Sequence, residues 1–168
     1  VGKTVMAYAS QNLVPVILEL GGKAPALVYS SMNIRYVAQR VAVGELWNAG
    51  QTCGAPDYMF LPKGKTAEFT KHYQDFVNTM YPTLRDNKDY TSIVNDKQYN
   101  RLQGYLADAR DQGASIVELN SKNEPLTEVR KIAPTLLTGV TTEMDIMKNE
   151  IFGPILPILE YEHIEDAI

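Results

Sequence analysis

The feature that most constrains this chain is an alternation, along its whole length, of short β-branched apolar runs with segments of helical period. Val14 to Leu20 is such a run, broken by Glu19 and closed by Gly21-Gly22, and it reads as a buried strand ending in a turn. Ala26 to Tyr29 reads as a second strand. Asn33 suits a helix N-cap, and Ile34, Val37, Ala38, Val41 and Ala42 then recur at helical spacing, continuing through Leu46 and Trp47 to a stop at Gly50. That helix is apolar around much of its circumference, which predicts cover on two sides. Further on, the pattern predicts strands over Tyr58–Leu61, Ser115–Leu119 and Pro154–Tyr161, with an edge or interrupted strand over Ile132–Val140 because Pro134 lies inside it. Helices are expected over Lys65–Tyr81 and Asp96–Gln112, with a short one over Met144–Glu150. Strands alternating with helices make an α/β layered sheet.

Length and charge narrow the class further. At 168 residues and 45% hydrophobic, the chain can bury one sizeable core. A net charge of -4 and scattered Lys and Arg argue against a nucleic-acid partner or an anionic membrane surface. No apolar stretch reaches the ~20 residues that span a bilayer. A single cysteine cannot form an internal disulfide and favours a reducing, cytoplasmic setting. Both ends, Val1-Gly2-Lys3 without an initiator Met and a helix-like His163 to Ile168, read as cuts through a longer polypeptide.

Three segments carry candidate chemistry. The first is NAGQTCGAP (Asn48 to Pro56), where Cys53 stands between Gly50 and Gly54 in what reads as an irregular loop. A lone Cys is usually a small buried hydrophobe, but a loop can expose a nucleophile on a rigid frame. No His, Lys or Arg adjoins Cys53 to favour the thiolate, and neither His72 nor His163 is placed for a Cys-His pair. The second segment is LELGGKAP (Leu18 to Pro25). Glu19 is flanked by Leu18 and Leu20, an apolar setting that would make a carboxylate a useful base near neutral pH, unless it simply points outward into solvent. Gly22-Lys23 does not complete a phosphate-binding loop, because Ala24 stands where Ser or Thr is needed. The third segment is NEIFGPILP (Asn149 to Pro157), which taken alone reads as an ordinary helix-to-strand turn with Phe152 in the core. Ligand spacing for a metal is absent.

Taken together, LELGGKAP, NAGQTCGAP with Cys53 thirty-four positions after Glu19, and EIFGP near the end closely resemble the aldehyde dehydrogenase superfamily, over essentially the whole chain. The runs NAGQTCGAPDY and YPTLRDNKDYTSI (Tyr81 to Ile93) look most like its coniferyl aldehyde dehydrogenase type. The resemblance implies a three-layer, mostly parallel sheet flanked by helices. It divides the chain into residues 1–17, the tail of an otherwise absent dinucleotide-binding domain, and 18–168, a catalytic domain truncated at its C-terminal end.

By that similarity, Cys53 attacks an aldehyde to give a thiohemiacetal, hydride passes to NAD or NADP, and water hydrolyses the resulting thioester. Glu19 matches the base that activates this water, and the Cys53 backbone N–H matches half of an oxyanion site. The family's other oxyanion donor, an asparagine, comes from an upstream region that this chain does not contain. Glu150 matches a glutamate that bonds the nicotinamide ribose, Phe152 an aromatic beside the nicotinamide, and Leu20 and Gly21 the backbone at that end of the cofactor. Asn149 departs from a common acidic residue, and Gly54 occupies a variable position that clouds substrate preference. The helix Asn33 to Asn48 matches one that packs across a dimer interface, so a homo-oligomeric parent enzyme is implied. Two alternatives stand beside this reading: an acylating enzyme that passes the acyl group to another acceptor, against which Glu19 speaks, and a non-catalytic assembly module. With most cofactor contacts absent, these 168 residues alone are expected to be inactive as a dehydrogenase.

Overall fold

The computed structural model describes all 168 residues and pairs five strands into one sheet. They are β1 Pro25–Leu27, β2 Tyr58–Pro62, β3 Ser115–Glu118, β4 Thr135–Thr138 and β5 Ile155–Tyr161, in the spatial order β1-β2-β5-β4-β3. All neighbours are parallel except β3 and β4. The parallel crossovers are made by α2 Ile34–Leu46, between β1 and β2, and by α5 Asp145–Lys148, between β4 and β5. Helices α3 Thr66–Met80 and α4 Asp96–Asp111 follow β2, and α1 Gly2–Gln11 precedes the sheet.

Alternation along the strands divides the core between the two faces of the sheet. Leu136, Leu156 and Ile158 join α2 and α3 residues such as Val41, Leu46, Phe69 and Tyr73 on one face. Leu137 and Ile155 join Leu102, Leu106 and Ile146 on the other. The result is helix, sheet, helix: the three-layer, mostly parallel α/β arrangement that the pattern and the resemblance predict. Asn33 caps α2 as expected, its Oδ1 accepting the Tyr36 N–H at 3.1 Å. Ile34, Val37, Ala38, Val41, Ala42 and Leu46 are buried against the sheet and α3, whereas Tyr36, Val43 and Trp47 remain exposed.

Two expectations are corrected. Val14 to Leu20 forms no strand and is not buried: Val14, Val16, Ile17 and Leu20 are all exposed. A strand needs a partner, and β1, the outermost strand on that side, pairs only with β2. The Ile132–Val140 strand is also no edge strand. It begins at Thr135, after the proline, and lies between β3 and β5. Pro134, which has no N–H to give, contributes its carbonyl to Leu119 N–H at 2.8 Å instead.

No helix is long and apolar enough to cross a membrane.

Candidate active site

The sheet order decides where the chemistry gathers. Strands β1, β2 and β5 are adjacent and parallel, so the segments that run into their N-terminal ends lie side by side. Those segments are LELGGKA, NAGQTCGAPD and NEIFGP. Open α/β sheets generally bind ligands beyond the carboxyl ends of their strands; here the candidate residues collect at the opposite edge. A cavity of about 520 Å³ opens over Trp47 and Thr52, and a larger one of about 780 Å³ lies between the three segments. The larger is lined by Glu19, Leu20, Gly21, Cys53, Glu150 and Phe152, all six of the residues singled out in the sequence. Gln51, Thr52, Val94, Asn95, Gln98 and Arg101 complete its wall.

Cys53 is a free, exposed thiol. The chain reaches it through an unusual turn in which Asn48, Ala49 and Gly50 have φ of 53°, 52° and 71°. Left-handed backbone at two successive non-glycine residues is costly and needs surrounding structure to hold it. Gln51 supplies part of that structure. Its Nε2 donates to Asn48 O at 3.0 Å and Ser92 O at 3.1 Å, and its Oε1 accepts the Val94 N–H at 2.9 Å. Asn48 Nδ2 returns a bond to Gln51 O at 3.1 Å. Gly50 must be glycine for a second reason: a Cβ there would strike the backbone carbonyl of Gly153 in the facing segment.

The Glu150 segment is gripped from behind by Arg101. Its two terminal nitrogens donate to Glu150 O at 2.9 Å and Ile151 O at 2.6 Å, while Nε donates to Gln98 Oε1 at 2.6 Å. This holds Phe152 at a left-handed φ of 54°, and the residue is 38% exposed. Phe152 therefore faces the cavity, which corrects the bland expectation of a core phenylalanine. Glu150 Oε1 accepts the Gly22 N–H at 3.1 Å. Glu19 is exposed, so the apolar enclosure expected between Leu18 and Leu20 is not present in this chain.

Beneath the cavity lies a polar group that the sequence reading passed over. Asp57 is buried and pairs with the Lys23 ammonium. Its Oδ1 accepts the Ile151 N–H at 2.7 Å, and Lys23 Nζ also donates to Ile146 O at 2.9 Å. Burial pushes the Asp57 carboxyl up, opposed by its bonds to Lys23 and Ile151. Glu45, in the last turn of α2, is 1% exposed, and its Oε2 has no hydrogen-bond partner. Burial, and secondarily the Asp57 charge, hold its carboxyl well above the usual range. Helical periodicity could have flagged Glu45, since it falls on the apolar face of α2. Nothing in spacing alone marked Lys23, Asp57, Gln51 or Arg101.

The residues present suit a nicotinamide ribose. Gly21 presents bare backbone, Phe152 is an exposed aromatic residue, and Glu150 has an Oε2 that bonds nothing in the protein. No group of three or more His, Cys, Asp or Glu side chains is placed to hold a metal ion.

Fold and cavity define an α/β protein whose candidate site residues gather at the N-terminal edge of the parallel strands β1, β2 and β5. The model of the aldehyde dehydrogenase family matches residues 1–168, and the chain belongs to that family. It is 48% identical over its whole length to a probable coniferyl aldehyde dehydrogenase of Pseudomonas aeruginosa, of which it covers 34%. It is equally 48% identical to the coniferyl aldehyde dehydrogenase of a Pseudomonas species, covering 35%. The chain thus spans about a third of the length of the curated relatives it matches. Among solved structures, a substrate-bound state of Staphylococcus aureus AldH superposes with a TM-score of 0.86 at 40% identity, covering 99% of this chain and 35% of that one. An aldehyde dehydrogenase of Mycobacterium tuberculosis, complexed with NAD+, gives 0.81 at 29% identity, with 99% and 35% covered.

Proposed function

We propose that this chain supplies the catalytic part of an NAD(P)-dependent aldehyde dehydrogenase, which oxidises an aldehyde to a carboxylic acid through an acyl thioester on Cys53. The observation that carries the reading is the single cavity shared by the Cys53 thiol and the Glu19 carboxylate.

In this reading Glu19 takes the Cys53 thiol proton and releases it to solvent, the thiolate sulfur attacks the aldehyde carbon, and the carbonyl oxygen takes the negative charge, which the Cys53 backbone N–H helps to stabilise. The bound nicotinamide supplies the hydride acceptor. Loss of hydride from the thiohemiacetal carbon leaves the thioester. Glu19 then takes a proton from water as that water attacks the acyl carbon, and the Cys53 thiolate departs. Glu150, through its Oε2, would hold the ribose of the cofactor, Phe152 would flank its nicotinamide, and Leu20 and Gly21 would offer backbone at close range. Residues 18–168 form the catalytic part, and residues 1–17 belong with the nucleotide-binding part. The identity to coniferyl aldehyde dehydrogenases favours an aldehyde conjugated to an aromatic ring. We further propose a homo-oligomer working in the cytoplasm, with the exposed Tyr36 and Val43 of α2 and Trp47 just beyond its end available to a second copy.

The test is aldehyde-dependent formation of NADH or NADPH by the protein that carries this sequence, with coniferyl aldehyde as first substrate. Cys53→Ala should abolish it, and activity that survives this substitution would overturn the reading.

A further inference from the structure

The segment carrying Glu19 has no strand to hold it. Between Glu19 and Pro25 its hydrogen bonds to other segments are the Gly22 N–H on Glu150, the Ala24 carbonyl accepting the Asp57 N–H at 2.8 Å, and those of the Lys23 ammonium. Lys23 lies four residues after Glu19, and Asp57 four residues after Cys53. The ion pair therefore joins the two segments at matching distance from the two groups whose separation matters. It sits immediately ahead of the point where β1 and β2 come into register at Pro25 and Tyr58. Further hydrogen bonds reach the third segment and the helix before it: Asp57 accepts from the Ile151 N–H, and the Lys23 ammonium donates to Ile146 O in α5. The Lys23 ammonium also lies 5.4 Å from the centre of the Tyr58 ring. With side chains 22% and 5% exposed, the pair is sheltered from the water that weakens surface bridges.

We infer that the Lys23–Asp57 pair is the positioning clamp that sets Glu19 against Cys53. Resting on the roles proposed above for Glu19 and Cys53, it adds two residues that touch neither substrate nor cofactor and act through the backbone of all three cavity segments. A misplacement of about 1 Å between reacting groups can cost on the order of a hundredfold in rate, so such a clamp has a function beyond stability.

The test reads position directly and does not depend on the chemistry. In the full chain, Glu19→Cys provides a second thiol, and a short dithiol-reactive reagent measures the rate of crosslinking between positions 19 and 53. Adding Lys23→Met or Asp57→Asn should slow crosslinking by about tenfold or more, and Lys23→Arg should restore most of the rate. Lys131→Met, which removes a buried ammonium bonded to Leu84 O, Arg85 O and Asn87 O, serves as a comparator destabilised away from the cavity and should leave the rate unchanged. Where Lys23→Met does not fold, Lys23→Gln takes its place with the same expected loss. Rates unaltered by the clamp substitutions, or lowered equally by Lys131→Met, would overturn the proposal. Failure of the catalytic reading would show separately, as thioester turnover indifferent to Glu19→Gln.

Discussion

The carboxylate of Glu150 lies directly against the Cα of Gly21, with Oε1 accepting the next residue's N–H at 3.1 Å. A Cβ at position 21 would collide with the carboxylate oxygens, which are the far end of a flexible side chain and can swing away. Gly21→Ala should therefore change stability by no more than about 1 kcal/mol while displacing Glu150. The expected signature is a rise of about tenfold in the KM for the nicotinamide cofactor, equivalent to about 1.4 kcal/mol, with the melting temperature nearly constant.

Gly50→Ala should behave in the opposite way. Its added Cβ would meet the Gly153 backbone, which cannot swing aside, at a φ of 71° that suits glycine. Strain of this kind costs about 1–3 kcal/mol before any clash is counted. Denaturant unfolding should show a loss of about 2 kcal/mol or more, together with faster alkylation of Cys53 as its loop loosens.

Asp57 also bears on stability. Removing one member of a buried ion pair leaves the other uncompensated, at a cost of about 3–5 kcal/mol. Asp57→Ala should show a loss of this size by chemical denaturation. Asp57→Asn, which keeps an acceptor for the Ile151 N–H, should lose less.

Glu45 predicts a pH dependence of definite sign. Its carboxyl is held well above the usual range in the folded protein by burial, reinforced by Asp57. Below about pH 4.3 both folded and unfolded chains carry the proton. As pH rises from there the unfolded chain releases it first, so the folded state holds more protons and stability falls with increasing pH until the folded group also ionises. Each pH unit in that window removes about 1.4 kcal/mol. Glu45→Gln should flatten this slope, making the variant's advantage over the native chain grow from acid toward neutral pH in parallel unfolding titrations.

What the sequence made legible follows from what kind of signal each feature leaves. Periodicity located the helices and most strands within a few residues, because α2, α3 and α4 each bury one face. It failed at Val14–Leu20, where an apolar run signals a strand but cannot say whether a neighbour exists to pair with it. It failed at Pro134 in the other direction, because proline precedes the strand and never needed a ladder bond. Of the six cavity residues, Cys53 and Glu19 stood out by their own chemistry, whereas Leu20, Gly21, Glu150 and Phe152 could be named only through the family that the three motifs resemble. Lys23, dismissed with the phosphate-loop reading, and Asp57 were invisible because their importance lies in meeting one another. Gln51 and Arg101 serve backbone groups distant in sequence, and no local pattern announces that.

The central claim is that Cys53 forms an acyl thioester which Glu19 helps water to break. Acyl transfer to a thiol needs no hydride acceptor, so the chain can be treated with an activated ester such as p-nitrophenyl acetate and followed by mass spectrometry. The expected result is an acetyl adduct on Cys53 alone, decaying at least about tenfold more slowly in Glu19→Gln, a floor set below the range of about 10²–10⁴ that general-base catalysis contributes at full strength. An acetyl group found elsewhere, or one lost from Cys53 at the same rate with and without the Glu19 carboxylate, would contradict it.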